Sequence, residues 1–454
     1  MNRLLFFMST LFLALAFASC HDEVLTQSQA QPTIGLQGRD CFDFGLLLTG
    51  STSATQSLMI YNHNNGTIEL QSVVLRGGKE SPFKINVDGM SGTSFTHPEL
   101  LRIEKGDSLY VLLDVTAPAI QAERENALQD YLDVTCNGKT WSIRLQALSL
   151  AVESLRDFTL SEDLRWDAQG IDKQIFGTLT IPEGCKLVIA DSTKLFMHDQ
   201  SQIEVYGTLI VEGHSEHPVS MLGDRTDKMF DNLYYRDMSG QWGGIHYHNA
   251  SSGNVIDHAD IKGMTQGIIA EGAQLEIRNS VFKNSNQSIL KATASTVTIE
   301  NSCLMNSGEA LVDLTDGSCE ITHCTLTNYQ FWTYYPDFDF ILHNTQCTVT
   351  NSIIYGNSAG PNVKVEYESD VAAPYLFDHC LLNAKGEDDD NFKSTLWGDD
   401  PLFMTVDMPN YICDPHLKQE SPARGAGTPS TIKKLPLDLD GKPRAETPSI
   451  GCYE

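Results

Sequence analysis

The sequence predicts an all-β chain, a β-sandwich domain followed by a parallel β-helix solenoid. Three observations carry this reading. An anchor residue recurs through the second half as His258, Asn279, Asn301, His323, Asn351 and His379, at intervals of 21, 22, 22, 28 and 28 residues. A second line of apolar residues, Ile245, Ile268, Ile289, Leu311, Ile341 and Val363, recurs at 23, 21, 22, 30 and 22. Residues 34–150, by contrast, form short apolar–polar runs that end at turn residues. Repeats of 20–50 residues mark coils that cannot bury their own apolar side chains and must stack to do so.

The anchor line carries its neighbours with it. Two residues earlier stand Ile256, Ile277, Ile299, Ile321, Val349 and Phe377; three residues later stand Ile261, Phe282, Leu304, Leu326, Ile354 and Leu382. Both sets should point inward and stack. The anchor should sit at a bend, where a side-chain amide can bond to its counterpart one coil on. Asn284, Asn306, Asn328 and Asn383 mark another recurring turn. Earlier coils are longer, since Gly177-Thr-Leu-Thr-Ile181 recurs 30 residues on as Gly207-Thr-Leu-Ile-Val211.

In residues 34–150 the runs Ser57-Leu-Met-Ile-Tyr61, Tyr110-Val-Leu-Leu-Asp-Val115 and Trp141-Ser-Ile-Arg-Leu145 read as strands, with turns at residues 62–66 and at Gly77-Gly78. Many short strands with frequent turns predict a sandwich. Phe42-Asp-Phe-Gly45, followed by the Asn62 to Asn65 turn, resembles the immunoglobulin-like modules of the ASPM/SPD-2/Hydin group. Cys41 and Cys136 either bridge the ends of this module or stay as small apolar residues.

The N-terminus has Arg3, an apolar run over residues 4–17 broken only by Ser9 and Thr10, and then Ala18, Ser19 and Cys20. This is the pattern of a secretory signal, too short to span a bilayer. Phe17-Ala18-Ser19-Cys20 resembles the lipobox of bacterial lipoproteins, with Phe17 where Leu is usual. The resemblance implies cleavage before Cys20 and its acylation. His21-Asp22-Glu23 resembles the surface-export signal of Bacteroidetes lipoproteins. The expected divisions are a signal peptide over 1–20, a flexible tether over 21–33, the sandwich over 34–150 and the β-helix with its capping segment over 151–454.

The repeats, with Ser421-Pro-Ala-Arg-Gly-Ala-Gly427, residues 435–444 and the ending Ser449-Ile-Gly-Cys-Tyr-Glu454, resemble the pectin-lyase-like superfamily of right-handed parallel β-helices, and more narrowly Bacteroidetes lipoproteins of that fold. The resemblance implies the fold and an outer-membrane, cell-surface location; it does not imply an activity.

The formal net charge is −28, which disfavours nucleic acid and anionic lipid as partners. The eleven cysteines contain no C-x-x-C pair, so neither a metal centre nor a cofactor is expected. Cys319 and Cys347 share one position in adjacent coils and are expected as free thiols. Glu387-Asp-Asp-Asp-Asn391 lacks the ligand spacing of a calcium loop and reads as an acidic surface loop.

Two insertions interrupt the coils, at residues 224–242 and 329–340. Tyr234, Tyr235, Trp242, Tyr329, Trp332, Tyr334, Tyr335 and Asp337 suit sugar recognition, because aromatic faces cover a pyranose and carboxylates accept its hydroxyl hydrogens. The alternative is that these aromatics form small cores under their own loops. Asp224, Asp227, Asp231, Asp237, Asp337 and Asp339 could supply an acid–base pair, yet no familiar catalytic pattern is present and no catalytic residue is assigned. The expected role is binding or adhesion to a glycan or a host surface. Polysaccharide cleavage on the same fold, or a structural surface role, are the rivals.

Overall fold

The computed structural model describes residues 28–454 apart from 37–39, 120–122, 168–169, 231, 330–335, 358–361 and 369–373. The expected leader, with Cys20, lies outside the described residues, as does the tether up to residue 27. The chain divides into two units, residues 1–150 and 151–454. Among the described residues no helix is long and apolar enough to cross a membrane.

The first unit holds two five-stranded sheets. In one, Gln56–Tyr61 and Ser108–Val115 pair antiparallel at the centre; in the other, Glu125–Cys136 and Lys139–Leu150 do so. Alternation puts every second side chain inward, so Leu58, Ile60, Val111, Leu113, Leu132 and Leu145 lie in one core. Cys41–Leu48 joins the second sheet in parallel with Lys139–Leu150. Asn62 is fully buried at the turn, and its Nδ2 donates to the carbonyls of Gly66, Ile103 and Glu104. Residues 28–33 were expected as tether but belong to the sandwich. The Ser28 amide donates to Thr67 O at 2.7 Å, and Thr33–Gly35 pairs with Gln56–Tyr61. Cys41 and Cys136 are unbridged.

The second unit is a parallel β-helix. Most of its strands form an 18-stranded and a 10-stranded sheet, both parallel throughout, and two short antiparallel pairs stand outside them. The long strand Asp172–Ile181 bends the larger sheet around a corner. Lys173 to Ile175 pair with Lys194–Met197, and Thr178 to Ile181 pair with Gln202–Val205. Beyond it the ladders separate, giving each coil three faces. The coil running through Ala259–Lys262, Ile268–Glu271 and Gln274–Arg278 shows all three in order.

The anchor line falls where expected. Ile256, Ile277, Ile299, Ile321, Val349 and Phe377 stack in one register on the third face. Ile261, Phe282, Leu304, Leu326, Ile354 and Leu382 stack on the first. All are buried. The six anchors hold φ between 47° and 53°, the left-handed conformation that Asn tolerates better than most residues. Asn279 Nδ2 donates to Asp257 Oδ1 (2.8 Å) and Asn301 Nδ2 to Asn279 Oδ1 (2.8 Å). Beside them runs a hydroxyl line: the amides of Ala259, Ser280 and Cys324 donate to Ser280, Ser302 and Ser352 Oγ. Ala250, Gly272, Ala294, Asp316 and Asn344 form another left-handed corner, which the sequence reading did not isolate.

The second line needs a correction of one residue in three coils. The residues in register on the second face are Ile203, Ile245, Ile268, Leu290, Val312, Phe340 and Val363, not Ile289, Leu311 and Ile341. Ile289 and Leu311 are also buried, at the corner just before the strand. Ile341 is half-buried on the outer side.

The C-terminal segment packs on the outside of the first face. Phe403–Asp407 pairs with Ile412–Leu417. Phe403, Leu417, Ala423 and Ile450 pack with Ile353 and Leu381, and Cys452 and Tyr453 pack with Cys303 and Met305. Arg444 reaches the amide ladder, with Nη2 donating to Asn301 Oδ1 at 2.6 Å. Asn351 Nδ2 donates to His323 Nε2 (3.1 Å), and His323 Nδ1 donates to Gly451 O (3.3 Å). Cys319 and Cys347 lie opposite one another on adjacent strands, and all ten described cysteines are free.

Two predictions follow from the ladder. Asn301→Ala loses both the backbone tolerance and the amide, and it leaves the buried Arg444 guanidinium short of an acceptor. Asn301→Gly keeps the backbone and loses only the amide. In urea unfolding the Ala variant should lose about 2–4 kcal/mol and the Gly variant about 1–2 kcal/mol.

Burial, reinforced by nearby Arg444, pushes the His323 imidazole down to about 3, so it is neutral in the folded protein. The unfolded chain takes up its proton near pH 6.5, the folded chain only near 3. Stability from this group is therefore present above about pH 6.5 and falls as pH drops toward 3, by at most about 1.4 kcal/mol per unit. His323→Asn uses the residue that serves at three other anchors. It should fold and flatten that slope in melts recorded from pH 7 to pH 4.

Candidate functional site

The 224–242 insertion leaves the solenoid between the first and second faces, between Val219–Gly223 and Gly244–Tyr247. It is built as a small hairpin, Lys228–Phe230 against Leu233–Tyr234, followed by a single turn at Tyr235–Asp237. Cations occupy its tyrosines. Arg225 lies 3.4 Å over Tyr235 while gripping Asp227 with both ends of its guanidinium. Lys228 and Arg236 lie 5.1 and 4.6 Å from the Tyr234 ring. Trp242 is 0% exposed, in the solenoid core, with Nε1 donating to Lys262 O. It closes the insertion from beneath and offers no ring face to a ligand.

Tyr329 is likewise 8% exposed, with its edge on Phe403 under the C-terminal segment. It is a packing residue, not a contact platform. Trp332, Tyr334 and Tyr335 lie outside the described residues, and Asp337 is exposed. Among the described residues, the carboxylates considered for acid–base work do not converge. Asp224 accepts from His198 and Gln174, Asp227 holds Arg225, and Asp237 pairs with Lys262 at 2.6 Å. Asp339 is fully buried between Asn328 and Asn362, and Asp231 lies outside the described residues. The 387–391 carboxylates serve their own loop: Asp388 accepts from Ser394 N, Thr395 N and Trp397 Nε1, and Asp389 from Asn391 N and Phe392 N.

What the insertion does form is a cleft of about 200 Å³ against the C-terminal hairpin. Asn232 donates to Asn410 O, and Phe230 stacks on Tyr411 with ring centres 6.4 Å apart. The floor is the outer side of the first face, with Lys262, Lys283, Asn284 and Asn306, and Cys413 stands on the wall. The Asn pair is a second amide ladder: Asn306 Nδ2 donates to Asn284 Oδ1 (3.1 Å), and Asn284 Nδ2 donates to Asp237 O. Burial pushes the Cys413 thiol up to about 12, so it is neutral. Lys262 is paired with Asp237, whereas Lys283 has no carboxylate partner among the described residues. Its half-buried ammonium faces the cleft with three N–H donors to offer. None of Lys262, Lys283, Phe230 or Tyr411 stood out in the sequence. Lys262 and Lys283 share an outward column that register alone reveals.

The second face is a different surface. Its outward columns run through Glu204, His246, Ile269, Lys291, Asp313, Ile341 and Lys364, and through Glu271, Thr293, Thr315, His343 and Glu366. Glu204 and His246 are direct register partners; His248 is the next outward position, one residue past the end of the same strand. His248 Nε2 touches Glu204 Oε2, and His246 Nδ1 lies 3.5 Å from the same oxygen. Gln202 Nε2 donates to the other Glu204 oxygen at 2.8 Å. Gly244, two residues before His246, has φ 128°, and a Cβ there would meet Gly267 O at 2.1 Å, so only glycine lets this strand lie so close to the next coil.

No protein-family profile matches the chain, and no curated protein does. Among solved structures, part of the chain is similar to a family 123 glycoside hydrolase from Clostridium perfringens, at 10% identity over 25% of this chain and 23% of that one, with a TM-score of 0.19. Another part-match is to the E. coli chaperone DraB, at 12% identity over 27% of this chain and 57% of that one, with a TM-score of 0.17. The chain thus spans under a quarter of the first neighbour and just over half of the second, and neither likeness bears on its fold or function.

Proposed function

We propose that the protein is an exported lipoprotein of the outer-membrane surface, anchored through acylated Cys20, whose pectin-lyase-like β-helix of the Bacteroidetes type binds a glycan. The contact site is the cleft between the 224–242 insertion and the C-terminal hairpin. The observation that carries this reading is the Lys283 ammonium, half-buried in that cleft with no carboxylate partner among the described residues. In a chain of net charge −28, a cation with no carboxylate partner among the described residues, in a cleft lined by Tyr411 and two asparagines beside it, suits an acidic substituent on a sugar. Tyr411 in the cleft lining, with Phe230 stacked on it, supplies flat apolar surface for the ring. Among the described residues, Asp224, Asp227, Asp237 and Asp339 are each held by their own partners, which favours capture over hydrolysis, since hydrolysis needs two carboxylates facing one bond.

A glycan array probed with the purified full-length chain should show a preference for sugars bearing a carboxylate or sulfate. Lys283→Ala should weaken the best of these by about 10- to 100-fold, the range of one charge-assisted hydrogen bond. Phe230→Ala, at an exposed position, should weaken acidic and neutral analogues alike. Absence of binding to every glycan, or binding that neither variant alters, would overturn the reading and turn attention to a protein partner.

A further inference from the structure

On the second face, away from the cleft, two histidines and a carboxylate converge. Glu204, His246 and His248 each offer one ligand atom, and the three atoms lie within 4.8 Å of one another. We propose that these residues form a site for a borderline divalent cation, Zn²⁺ in the first instance, with Glu271 as the outer partner of His246. This does not rest on the glycan reading and would hold whatever the cleft binds.

Four features point the same way. The donor set, two imidazoles and one carboxylate, is one that Zn²⁺ takes when it keeps a further position open; calcium and magnesium prefer oxygen ligands. Ligand atoms around a tetrahedral Zn²⁺ lie about 3.3 Å apart, given bonds near 2.0–2.1 Å; His246 Nδ1 is 3.5 Å from Glu204 Oε2, and His248 Nε2, in hydrogen-bond contact with that oxygen, would part from it to admit the ion. The rings are aimed: Tyr206 stacks on His248 at 3.9 Å and 5°, and His246 turns its other nitrogen, Nε2, to Glu271 at 3.2 Å. That is the carboxylate–histidine–metal arrangement, in which the outer carboxylate fixes the ring and raises its basicity.

Finally, the scaffold is rigid. Glu204 and His246 are opposite residues of a parallel ladder, and the His248 amide continues it by donating to Val205 O at 3.0 Å. The imidazole centres are 3.9 Å apart. The donors are 26%, 21% and 16% exposed for His246, His248 and Glu204, so the fourth side opens to solvent.

The test is Zn²⁺ titration of the metal-stripped full-length chain, read by calorimetry and by the rise in melting temperature that native-state binding produces. Wild type should take up one tight equivalent. His246→Ala with His248→Ala should abolish it, as should Glu204→Gln, which preserves shape if the double variant does not fold. Glu271→Gln should weaken binding by about 10- to 100-fold. His198→Ala, a histidine of the same unit outside the cluster, should change nothing. Co²⁺ in place of Zn²⁺ should give the visible absorption of a four- or five-coordinate ion, lost in Glu204→Gln. No uptake by wild type, or an equivalent that survives both ligand variants, would overturn the proposal.

Discussion

Everything in the solenoid depends on one constraint: a coil of about 22 residues must turn its corners within a single residue and leave no buried amide unpaired. The anchors meet it by combining a left-handed backbone with a side chain that can give and take a hydrogen bond. Asn does both, so Asn279 passes the pattern from Asp257 to Asn301. His323 does the same, taking a hydrogen bond from Asn351 and giving one to Gly451 O, whereas His258 and His379 turn Nδ1 to the aspartate before them. With the corner residue fixed, register is fixed, and register decides which side chains share an outward column. The cleft floor and the His–Glu cluster are both consequences of that choice.

The ladder also explains the C-terminal segment. An amide stack has an open end, and Arg444 fills it at Asn301. The first face needs cover for a second reason. Cys303, Ile353 and Leu381 occupy outward positions yet are fully buried, because the segment lies on them. Apolar residues at outward positions are the sequence's own sign that a face is covered. The second face shows the reverse. Beside Ile269 and Ile341 its outward columns carry Lys291, Asp313, Lys364 and Glu366, which are half-buried or exposed.

This difference sets what could be read from the sequence. The anchor line and its two inward companions were legible because each coil repeats them at a fixed offset. The second line slipped by one residue at Ile289 and Leu311 because two consecutive residues are buried at that corner, so apolarity alone does not choose between them. A one-residue slip exchanges inside for outside. The His–Glu cluster was hidden for a related reason. The His-x-His pair at 246 and 248 is visible, but its carboxylate lies 42 residues earlier, since the 224–242 insertion doubles the apparent period. A search for ligands close together along the chain, as in zinc fingers, does not reach that far.

The aromatic residues teach the complementary lesson. Composition drew attention to Trp242 and Tyr329, but a large ring at the root of an insertion is where the solenoid most needs volume to seal its core, and both are buried there. The tyrosines that stay nearer the surface, Tyr234 and Tyr235, lie under cations from their own loop. What remains open to a ligand is what local packing has not consumed. In the cleft that is the Lys283 ammonium; on the second face it is the solvent side of Glu204, His246 and His248. The two lie on different faces and differ in sign, one suited to an anion and the other to a cation, so a single charged partner would not engage both.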